Sequence, residues 1–355
     1  MKIAIDISPV LYGTGVSVYT KNLVENLLRI DKENMYVLFG GSLRRGKELL
    51  KYAERLTGNF SIKVNKVSPT FADILWNRLH VYKLEKLTGS VDIYHSSDWA
   101  QAPSDAFKVT TVHDLFPLKH PDMVDPKIAS VQKARMKWVT REVERVIAPS
   151  NATGDDLLNL GVSKKKIFVI PEACSEYYFE KPNAFELEQV KKRYQLDKYI
   201  ICVGIGHRKN TMRILEAVKQ IGDSEMQIVL VGRNQEGLDL GNALVTGFVD
   251  DKTLRALYRG AKLLVYPSLY EGFGLPILQA FACGCPVVTS NISSMPEVAG
   301  DAAVLVDPYN VDDIAKGIVY SIKQADELRK KGKDQALTFS WSQTAQKTLE
   351  LYNLS

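Results

Sequence analysis

The chain has 355 residues, of which 45% are hydrophobic and 25% charged, and its formal net charge at pH 7 is +5. This composition is typical of a globular protein, and the length predicts two domains of about 100–200 residues each. Because the basic residues are spread along the chain rather than gathered in a tail, no nucleic-acid partner is expected.

The N-terminus predicts a first strand rather than a signal peptide. In MKIAIDISPV a single Lys precedes a short apolar run that alternates with Asp6 and Ser8. No window reaches the roughly 20 consecutive apolar residues of a membrane-spanning helix, so we expect a cytoplasmic protein. The four cysteines are expected to be reduced and to form neither disulfides nor a zinc site.

Short apolar runs alternate with longer amphipathic stretches along the chain, as in βα units around a parallel sheet. In the first half the predicted strands are Ile3–Ile7, Tyr36–Phe39, Ile62–Val67, Val91–Tyr94, Val109–His113, Val146–Ala148 and Ile167–Ile170. The second half starts the pattern again with Tyr199–Gly204, Gln227–Gly232, Ala243–Val245, Lys262–Tyr266, Pro286–Thr289 and Ala303–Val306. The predicted fold class is α/β, with two Rossmann-like doubly wound parallel-sheet domains facing across a cleft.

The domain boundary is expected in the polar, aromatic stretch Pro171–Gln195, which has no strand periodicity. We predict a first domain over residues 1–171 and a second over residues 172–339. Residues 340–355 begin with the capping-box spacing Ser340-x-x-Gln343 and are expected to form a helix that crosses back to the first domain.

The most informative motif is Tyr266-Pro-Ser-Leu-Tyr-Glu-Gly-Phe-Gly-Leu-Pro-Ile-Leu-Gln-Ala-Phe-Ala-Cys-Gly284. A predicted strand ends at Tyr266, a loop with two glycines follows, and Pro276 marks the first turn of a short helix. The backbone N–H groups of Gly274 and Leu275 would then point outward from a helix N-terminus at the carboxyl end of a parallel strand. This is where phosphates bind in doubly wound sheets, so the motif predicts an anion site.

With Glu271 before the glycines and Gln279 eight residues later, the motif resembles the donor-site signature of the family-four (group 1) retaining glycosyltransferases, which have the GT-B fold. The resemblance continues through most of the chain. Gly204-Ile-Gly-His-Arg-Lys-Asn210 is similar to the family's basic loop, Thr246-Gly-Phe-Val249 to its base-contacting turn, Gly13-Thr-Gly15 to its first-domain glycine loop, and Thr111-Val-His-Asp-Leu-Phe-Pro117 to its His loop.

The resemblance implies a role for each matching residue. His113 and Glu271 would be catalytic, each contacting a hydroxyl of the transferred sugar. The implied donor-binding residues are Gly15, Arg208, Lys209, Phe248, Gly272, Phe273, Gly274, Leu275 and Gln279. Gln279 departs from the family, which has a second Glu there, and an amide makes weaker hydrogen bonds than a carboxylate.

The implied reaction is transfer of a sugar from a nucleotide diphosphate sugar to a glycan or a lipid-linked acceptor, with retention of configuration. The second domain would hold the donor and the first the acceptor. The HDLFPLKHP form of the His loop resembles bacterial polysaccharide mannosyltransferases, which makes GDP-mannose the first donor to consider. Because cations and helix N–H groups would neutralise the leaving diphosphate and no Asp-x-Asp pair is present, neither a cofactor nor a metal is expected.

Two alternatives stay open on the sequence. A nucleotide-sugar 2-epimerase would use the same architecture without an acceptor. A non-catalytic nucleotide-sugar-binding subunit would be consistent with Gln279 but not with the retained Glu271, His113 and Lys209.

Two first-domain stretches, Leu43–Lys51 and Trp76–Lys86, combine basic and apolar residues. We interpret each as an amphipathic helix packed on a sheet. The same composition also suits shallow docking on anionic lipid, so peripheral contact with the inner face of a membrane is a second expectation.

Overall fold

The computed structural model describes residues 1–181 and 183–354, which divide into two compact units. The first unit contains Met1–Glu172 together with residues 341–354, and the second is Ala173–Ser340. Each unit has its own parallel β-sheet and its own hydrophobic core. The last helix therefore belongs to the first unit, although it follows the second in sequence.

Among the described residues, the first unit contains a seven-stranded sheet with the order β3-β2-β1-β4-β5-β6-β7. Its strands are β1 Lys2–Asp6, β2 Met35–Gly41, β3 Phe60–Asn65, β4 Ile93–Ser96, β5 Phe107–Thr111, β6 Arg145–Ala148 and β7 Ile167–Val169. The helices between them are α1 Gly15–Ile30, α2 Gly46–Ala53, α3 Pro69–Ala72, α4 Glu85–Thr88, α5 Phe116–Lys119, α6 Pro126–Glu142 and α7 Asn151–Asn159. Short 3₁₀ turns cover Ser8–Leu11, Pro121–Met123 and Lys164–Lys166, and a π-helical turn covers Asp73–Arg78.

The part of the second unit that the structure describes contains a six-stranded sheet with the order β10-β9-β8-β11-β12-β13. Its strands are β8 Tyr199–Val203, β9 Gln227–Val231, β10 Leu244–Gly247, β11 Leu264–Tyr266, β12 Val287–Ser290 and β13 Val304–Val306. Its helices are α8 Ala184–Tyr194, α9 Thr211–Ile221, α10 Asp251–Gly260, α11 Leu275–Ala282, α12 Met295–Ala299, α13 Val311–Lys323 and α14 Ala325–Leu337, with a 3₁₀ turn at Glu176–Tyr178. The final helix, α15 Trp341–Tyr352, packs on α1 in the first unit.

Alternation along the central strands explains why both faces of the second sheet are covered. In β8, Tyr199 and Ile201 belong to one buried cluster, whereas Ile200 and Cys202 belong to the other. Successive side chains of a strand point to opposite faces, so a continuously apolar strand needs helices on both sides. All pairings between named strands are parallel, which confirms the predicted α/β class with two doubly wound sheets.

In each sheet the strand order reverses beside the first strand of the unit. This switch point lies between β1 and β4 in the first sheet and between β8 and β11 in the second. Loops that leave neighbouring strands at their carboxyl ends diverge there and open a crevice, which is where ligands bind in such sheets.

Two local expectations are wrong. The strand predicted to reach His113 ends at Thr111, so His113 lies in the following loop. The stretch Trp76–Lys86 is not one amphipathic helix, because the backbone enters the left-handed region at His80 (φ 51°) and Tyr82 (φ 68°). An L-residue with positive φ cannot continue a right-handed helix.

The cysteines are all free and buried, as expected. Within residues 1–181 and 183–354, none of the helices combines the length and the apolar character needed to cross a lipid bilayer.

Candidate functional site

The switch point of the second sheet brings together the basic loop and the glycine loop predicted from sequence. Arg208 and Lys209 lie in the loop that follows β8, and Glu271 lies in the loop that follows β11. Because β8 and β11 are neighbours, their carboxyl ends deliver these three side chains to one edge of the sheet.

Lys209 and Glu271 form a close ion pair. Lys209 Nζ lies 2.5 Å from Glu271 Oε1 and donates to Tyr266 Oη at 2.6 Å. Arg208 Nη1 is 4.0 Å from Glu271 Oε2. These two cations and one carboxylate leave one net positive charge at the loop edge.

The charges at this site set the ionisation of Glu271, which is only 7% exposed. Burial alone would raise its pKa, but the positive charges of Lys209 and Arg208 outweigh burial and bring the pKa below its usual value. Glu271 is therefore ionised at neutral pH and can accept hydrogen bonds.

Hydroxyl groups from the loop after β12 hold the glycine loop in place. Ser293 Oγ donates to the Glu271 carbonyl at 2.7 Å and accepts from the Glu271 N–H at 3.2 Å. Ser294 Oγ donates to the carbonyl of Phe273 at 2.7 Å. These bonds satisfy backbone groups that the irregular loop would otherwise leave buried and unpaired.

The basic loop holds the glycine loop from its other side. Asn210 Nδ2 donates to the carbonyl of Pro267 at 3.0 Å, and the Leu269 N–H donates to the Arg208 carbonyl at 2.9 Å. Asn210 is 3% exposed and adopts a left-handed conformation (φ 60°). The position of Glu271 relative to Lys209 is thus fixed by the backbone as well as by the ion pair.

Helix α11 begins immediately after the glycine loop. Gly274 caps it with φ 112°, a conformation that glycine adopts without strain, and the Ile277 N–H donates to its carbonyl at 2.9 Å. The first N–H groups of a helix have no partner within the helix and carry its positive dipole end. The predicted anion-binding amides of Gly274 and Leu275 therefore follow Glu271 by only a few residues.

Four further predicted donor residues occupy different environments. Gly272 and Phe273 are buried in the glycine loop. Gln279, on α11, accepts a hydrogen bond from Tyr258 Oη at 3.3 Å. Phe248 follows β10 and is 74% exposed, with its ring presented to solvent.

In the first unit, His113 forms an ion pair with Glu172. His113 Nδ1 lies 3.0 Å from Glu172 Oε1, and both side chains are largely buried. Burial alone would lower the pKa of His113, but the hydrogen bond and charge of Glu172, with smaller effects from Asp98 and Asp114, raise it above 6.5. The raised pKa favours the imidazolium form, in which both nitrogens carry a proton, and within the described residues Nε2 makes no hydrogen bond.

Helix α15 stabilises the surroundings of this ion pair in two places. Thr344 Oγ1 donates to the carbonyl of Pro171, next to Glu172, at 2.7 Å. At the other end, Tyr352 Oη lies 2.6 Å from His95 Nδ1, and His95 Nε2 lies 2.9 Å from Thr111 Oγ1. Both contacts end within two residues of the ion pair.

Tyr19 completes this network from α1. Its hydroxyl lies 3.0 Å from Thr111 Oγ1, and its ring packs edge-on against His113 with centroids 4.6 Å apart. Trp341 of α15 contacts the Tyr19 ring at a centroid distance of 5.8 Å. The His113 ring is thus positioned by packing as well as by Glu172.

Gly15 is the first residue of α1 and is exposed. Its backbone is helical, and a Cβ built on it would meet no atom within 4 Å. Neither backbone conformation nor packing within the chain therefore requires glycine here, in contrast to Gly13, which has φ 69°.

Two family models cover most of the chain. One described as Glycosyl transferases group 1 matches residues 184–338, and one described as Glycosyltransferase Family 4 matches residues 13–174. The O-antigen chain mannosyltransferase B of Escherichia coli is 31% identical in an alignment of 284 residues, and the match covers 74% of each chain. The chain belongs to the group 1 glycosyltransferases.

Other comparisons place this glycosyltransferase among relatives of different length. The serotype-specific mannosyltransferase WbdA of Escherichia coli is 28% identical over 306 residues, and the chain spans 36% of its length. Anabaena Alr3699/HepE, solved in complex with UDP and glucose, superposes with a TM-score of 0.73 at 15% identity and 100% coverage of both chains. The fold is therefore that of the GT-B glycosyltransferases.

Sequence reasoning missed several site residues of the glycosyltransferase. Glu172 was assigned only to the domain boundary, although it is a carboxylate three residues after β7, at the edge of the sheet where His113 follows β5. Tyr266 begins the glycine-loop motif but was given no role, and Ser294 lies outside the motifs quoted above. Their contacts with Lys209 and with the carbonyl of Phe273 depend on neighbouring strands and cannot be seen in one segment alone.

Metal ions in proteins are commonly held by clusters of His, Cys, Asp and Glu side chains. Over residues 1–181 and 183–354, no three or more of them lie close enough together to hold a metal ion.

Proposed function

We propose that this glycosyltransferase moves a hexose from a nucleoside diphosphate sugar to a hydroxyl of a glycan or lipid-linked acceptor, with retention of anomeric configuration and without a metal ion. GDP-mannose is the first donor to test, because several relatives are mannosyltransferases by name. The crystallised HepE complexes with UDP and with UDP-glucose support a nucleotide-sugar donor in general.

The observation that carries the proposal is the cationic edge of the second sheet. Lys209, Arg208 and the N-terminal amides of α11 supply positive charge within one switch-point crevice. A leaving diphosphate gains negative charge as its bond to the sugar stretches, and preorganised cations and amides stabilise that charge in the transition state. These groups can do the work that a divalent cation does in other transferases.

Glu271 and His113 are proposed to bind the transferred sugar. Ionised Glu271 accepts a hydrogen bond from one sugar hydroxyl, and the Nε2–H of protonated His113 donates to another. Both interactions hold the ring as C1 acquires positive character. Each hydrogen bond that involves a charged group is worth about 1.5–3 kcal/mol.

The proposed transfer occurs on one face of the sugar. The acceptor hydroxyl oxygen forms a bond to C1 while the bond between C1 and the diphosphate oxygen breaks. The hydroxyl proton passes to the departing phosphate oxygen, so that no protein base is needed and the anomeric configuration is retained.

A nucleotide-sugar panel screened by thermal shift tests donor binding, because a ligand at 100 times its Kd adds about 2.7 kcal/mol of stability. The expected result is stabilisation by one nucleotide class that persists in EDTA. Proton NMR of the product then reports the anomeric configuration, and a parallel reaction with donor alone shows whether an epimer forms. Inversion of configuration, an epimer without acceptor, or strict dependence on a divalent cation would each contradict the proposal.

A further inference from the structure

Residues 71–82, here called the docking loop, expose an unusual amount of apolar surface. Five of its twelve residues are large hydrophobic side chains at least two-fifths exposed: Phe71 at 49%, Ile74 at 41%, Leu79 at 62%, Val81 at 49% and Tyr82 at 41%. Isolated exposed hydrophobic residues are common, but a contiguous group marks an interaction surface.

The backbone of the docking loop is held in a strained shape that keeps these side chains outside. His80 and Tyr82 both have positive φ, which is unfavourable for residues with a Cβ. Trp76 is 4% exposed and its Nε1 donates to the Tyr82 carbonyl at 3.1 Å, while the His80 ring stacks on Trp138 at 3.6 Å between centroids. The exposure of Leu79 and its neighbours is therefore built into the fold.

Basic side chains surround the docking loop. The Nζ of Lys86 lies 5.4 Å from the Tyr82 ring centroid, and the Nζ of Lys127 lies 3.4 Å from Thr70 Oγ1. Neither lysine forms an ion pair with any residue that the structure describes. Arg78 forms an ion pair with Asp73, with 2.8 Å between Nε and Oδ2, and its Nη2 donates to Ser130 Oγ of α6 at 3.0 Å.

Helix α6 extends this surface. Four of its five basic residues are exposed, whereas Arg135 is buried, and the helix has one acidic residue over Pro126–Glu142. It also borders a depression of about 580 Å³ whose lining includes Pro117, Leu118, Met136 and Leu160, with Lys133 and Lys137 among the residues around it. Apolar surface with lysines beside it is thus found both at the docking loop and along α6.

From this combination we infer that the docking loop and α6 bind the surface of an anionic lipid bilayer, with Leu79, Val81 and Tyr82 entering the headgroup boundary. Interfacial segments combine inserted apolar side chains with Lys and Arg that attract anionic lipid. Protein interfaces, by contrast, are depleted in lysine. The inference rests on the proposed function, because membrane binding would bring the enzyme close to a lipid-linked acceptor.

The site differs from the one expected from sequence. The amphipathic helix predicted over Trp76–Lys86 is instead a π-helical turn that ends at Arg78, followed by a turn with left-handed residues, and the apolar surface starts earlier, at Phe71. In the other predicted stretch, Leu43 at 65% and Leu50 at 44% are exposed, but no strained turn accompanies them.

Vesicle flotation with the full-length protein tests the inference. The protein is expected to float at low salt with vesicles of phosphatidylglycerol and phosphatidylcholine, and to bind less to phosphatidylcholine alone or at high salt. L79S/V81S should weaken binding about ten-fold or more, and K86E/K127E should remove its salt dependence. F185S, which removes a side chain 69% exposed in the second unit, is the matched control and should bind like wild type.

Unaltered binding of L79S/V81S, or no flotation of the wild type at low salt, would overturn the inference. A wild-type dimer that L79S/V81S dissociates in size-exclusion chromatography, without flotation, would instead assign the surface to a second copy of the chain. Apo melting temperatures of all variants check folding. Nucleotide-sugar stabilisation, which should be equal in every variant, reports separately on the proposed function.

Discussion

The ionisation of His113 depends on one carboxylate that is far away in sequence. Glu172 lies 59 residues after His113, yet their side chains meet at 3.0 Å in a buried setting. Burial alone would leave the imidazole neutral at physiological pH, whereas the Glu172 charge raises its pKa. Glu172 thus favours the protonated form of His113, in which Nε2 is a donor rather than an acceptor.

Replacing Glu172 with Gln should move the His113 titration below 6.5, because only the effect of burial and smaller distant charges would remain. Imidazole NMR signals followed against pH measure the midpoint directly. His95 supplies an internal control, since burial lowers its pKa to about 3 and its signals should stay constant near neutral pH. An unchanged His113 midpoint would show that Glu172 does not set its protonation.

The same substitution should change how stability varies with pH. A raised pKa in the folded state stabilises the protein fully below the unfolded value of 6.5. That contribution disappears as pH rises through the folded pKa of His113. The free energy of unfolding of the wild type should therefore fall over this range, whereas in Glu172→Gln, with the folded His113 pKa below 6.5, the contribution of His113 should rise with pH.

At the scale of single elements, helix α15 contributes to the His113 site although it is the last element of the chain. Thr344→Val keeps the side-chain shape but leaves the Pro171 carbonyl without its donor, which costs about 1–3 kcal/mol when the group is buried. Because Pro171 precedes Glu172, we expect kcat to fall while the donor KM stays the same.

Thr348→Val is the matched control for this substitution. Thr348 is fully buried in the same helix, but its hydroxyl donates to the Thr344 carbonyl within α15 at 2.8 Å. It should affect stability without the selective loss of kcat. Equal kinetics in the two variants would mean that α15 supports the fold alone.

A second prediction concerns Gly15, the first residue of helix α1. Gly15→Ala adds a methyl group into open space and favours the helix, so the free energy of unfolding should stay constant or rise by at most about 1 kcal/mol. If a substrate approaches the backbone there, as the resemblance implies, the methyl group should raise a substrate KM or lower kcat. Unchanged kinetics with unchanged stability would remove Gly15 from the site.

For the molecule as a whole, periodicity in the sequence was sufficient to predict the two sheets. Every predicted apolar run overlaps a strand, and the carboxyl ends of parallel neighbours necessarily share an edge, which is why Lys209 and Glu271 could be expected together. The pairing of Glu172 with His113 and the left-handed residues at His80 and Tyr82 could not be predicted. They depend on tertiary contacts, and no glycine marks the turn.

The two sheets share the same reversal of strand order but present different chemistry at it. The switch point of the second sheet carries Arg208 and Lys209 beside a helix N-terminus. That of the first carries the buried carboxylate Asp6 at the end of β1, and the His113–Glu172 pair follows β5 and β7 farther along the same edge. An anion should therefore bind to the second unit, independently of the first.

This separation predicts opposite behaviour for two variants titrated with GDP and followed by thermal shift. Lys209→Met should weaken GDP binding about 10- to 100-fold, because one charge-assisted contact of about 1.5–3 kcal/mol is lost. His113→Ala should retain the GDP-induced shift while losing turnover, since its proposed partner is the sugar. Lys198→Met controls for the change in net charge and should bind GDP normally. It removes a different ion pair, in which Lys198 Nζ lies 2.6 Å from Asp223 Oδ2. If Lys209→Met is stabilised by GDP as strongly as the wild type, the diphosphate binds elsewhere. Loss of Lys209 also leaves the Glu271 carboxylate without its closest cation, which should weaken the binding of an anion there still further.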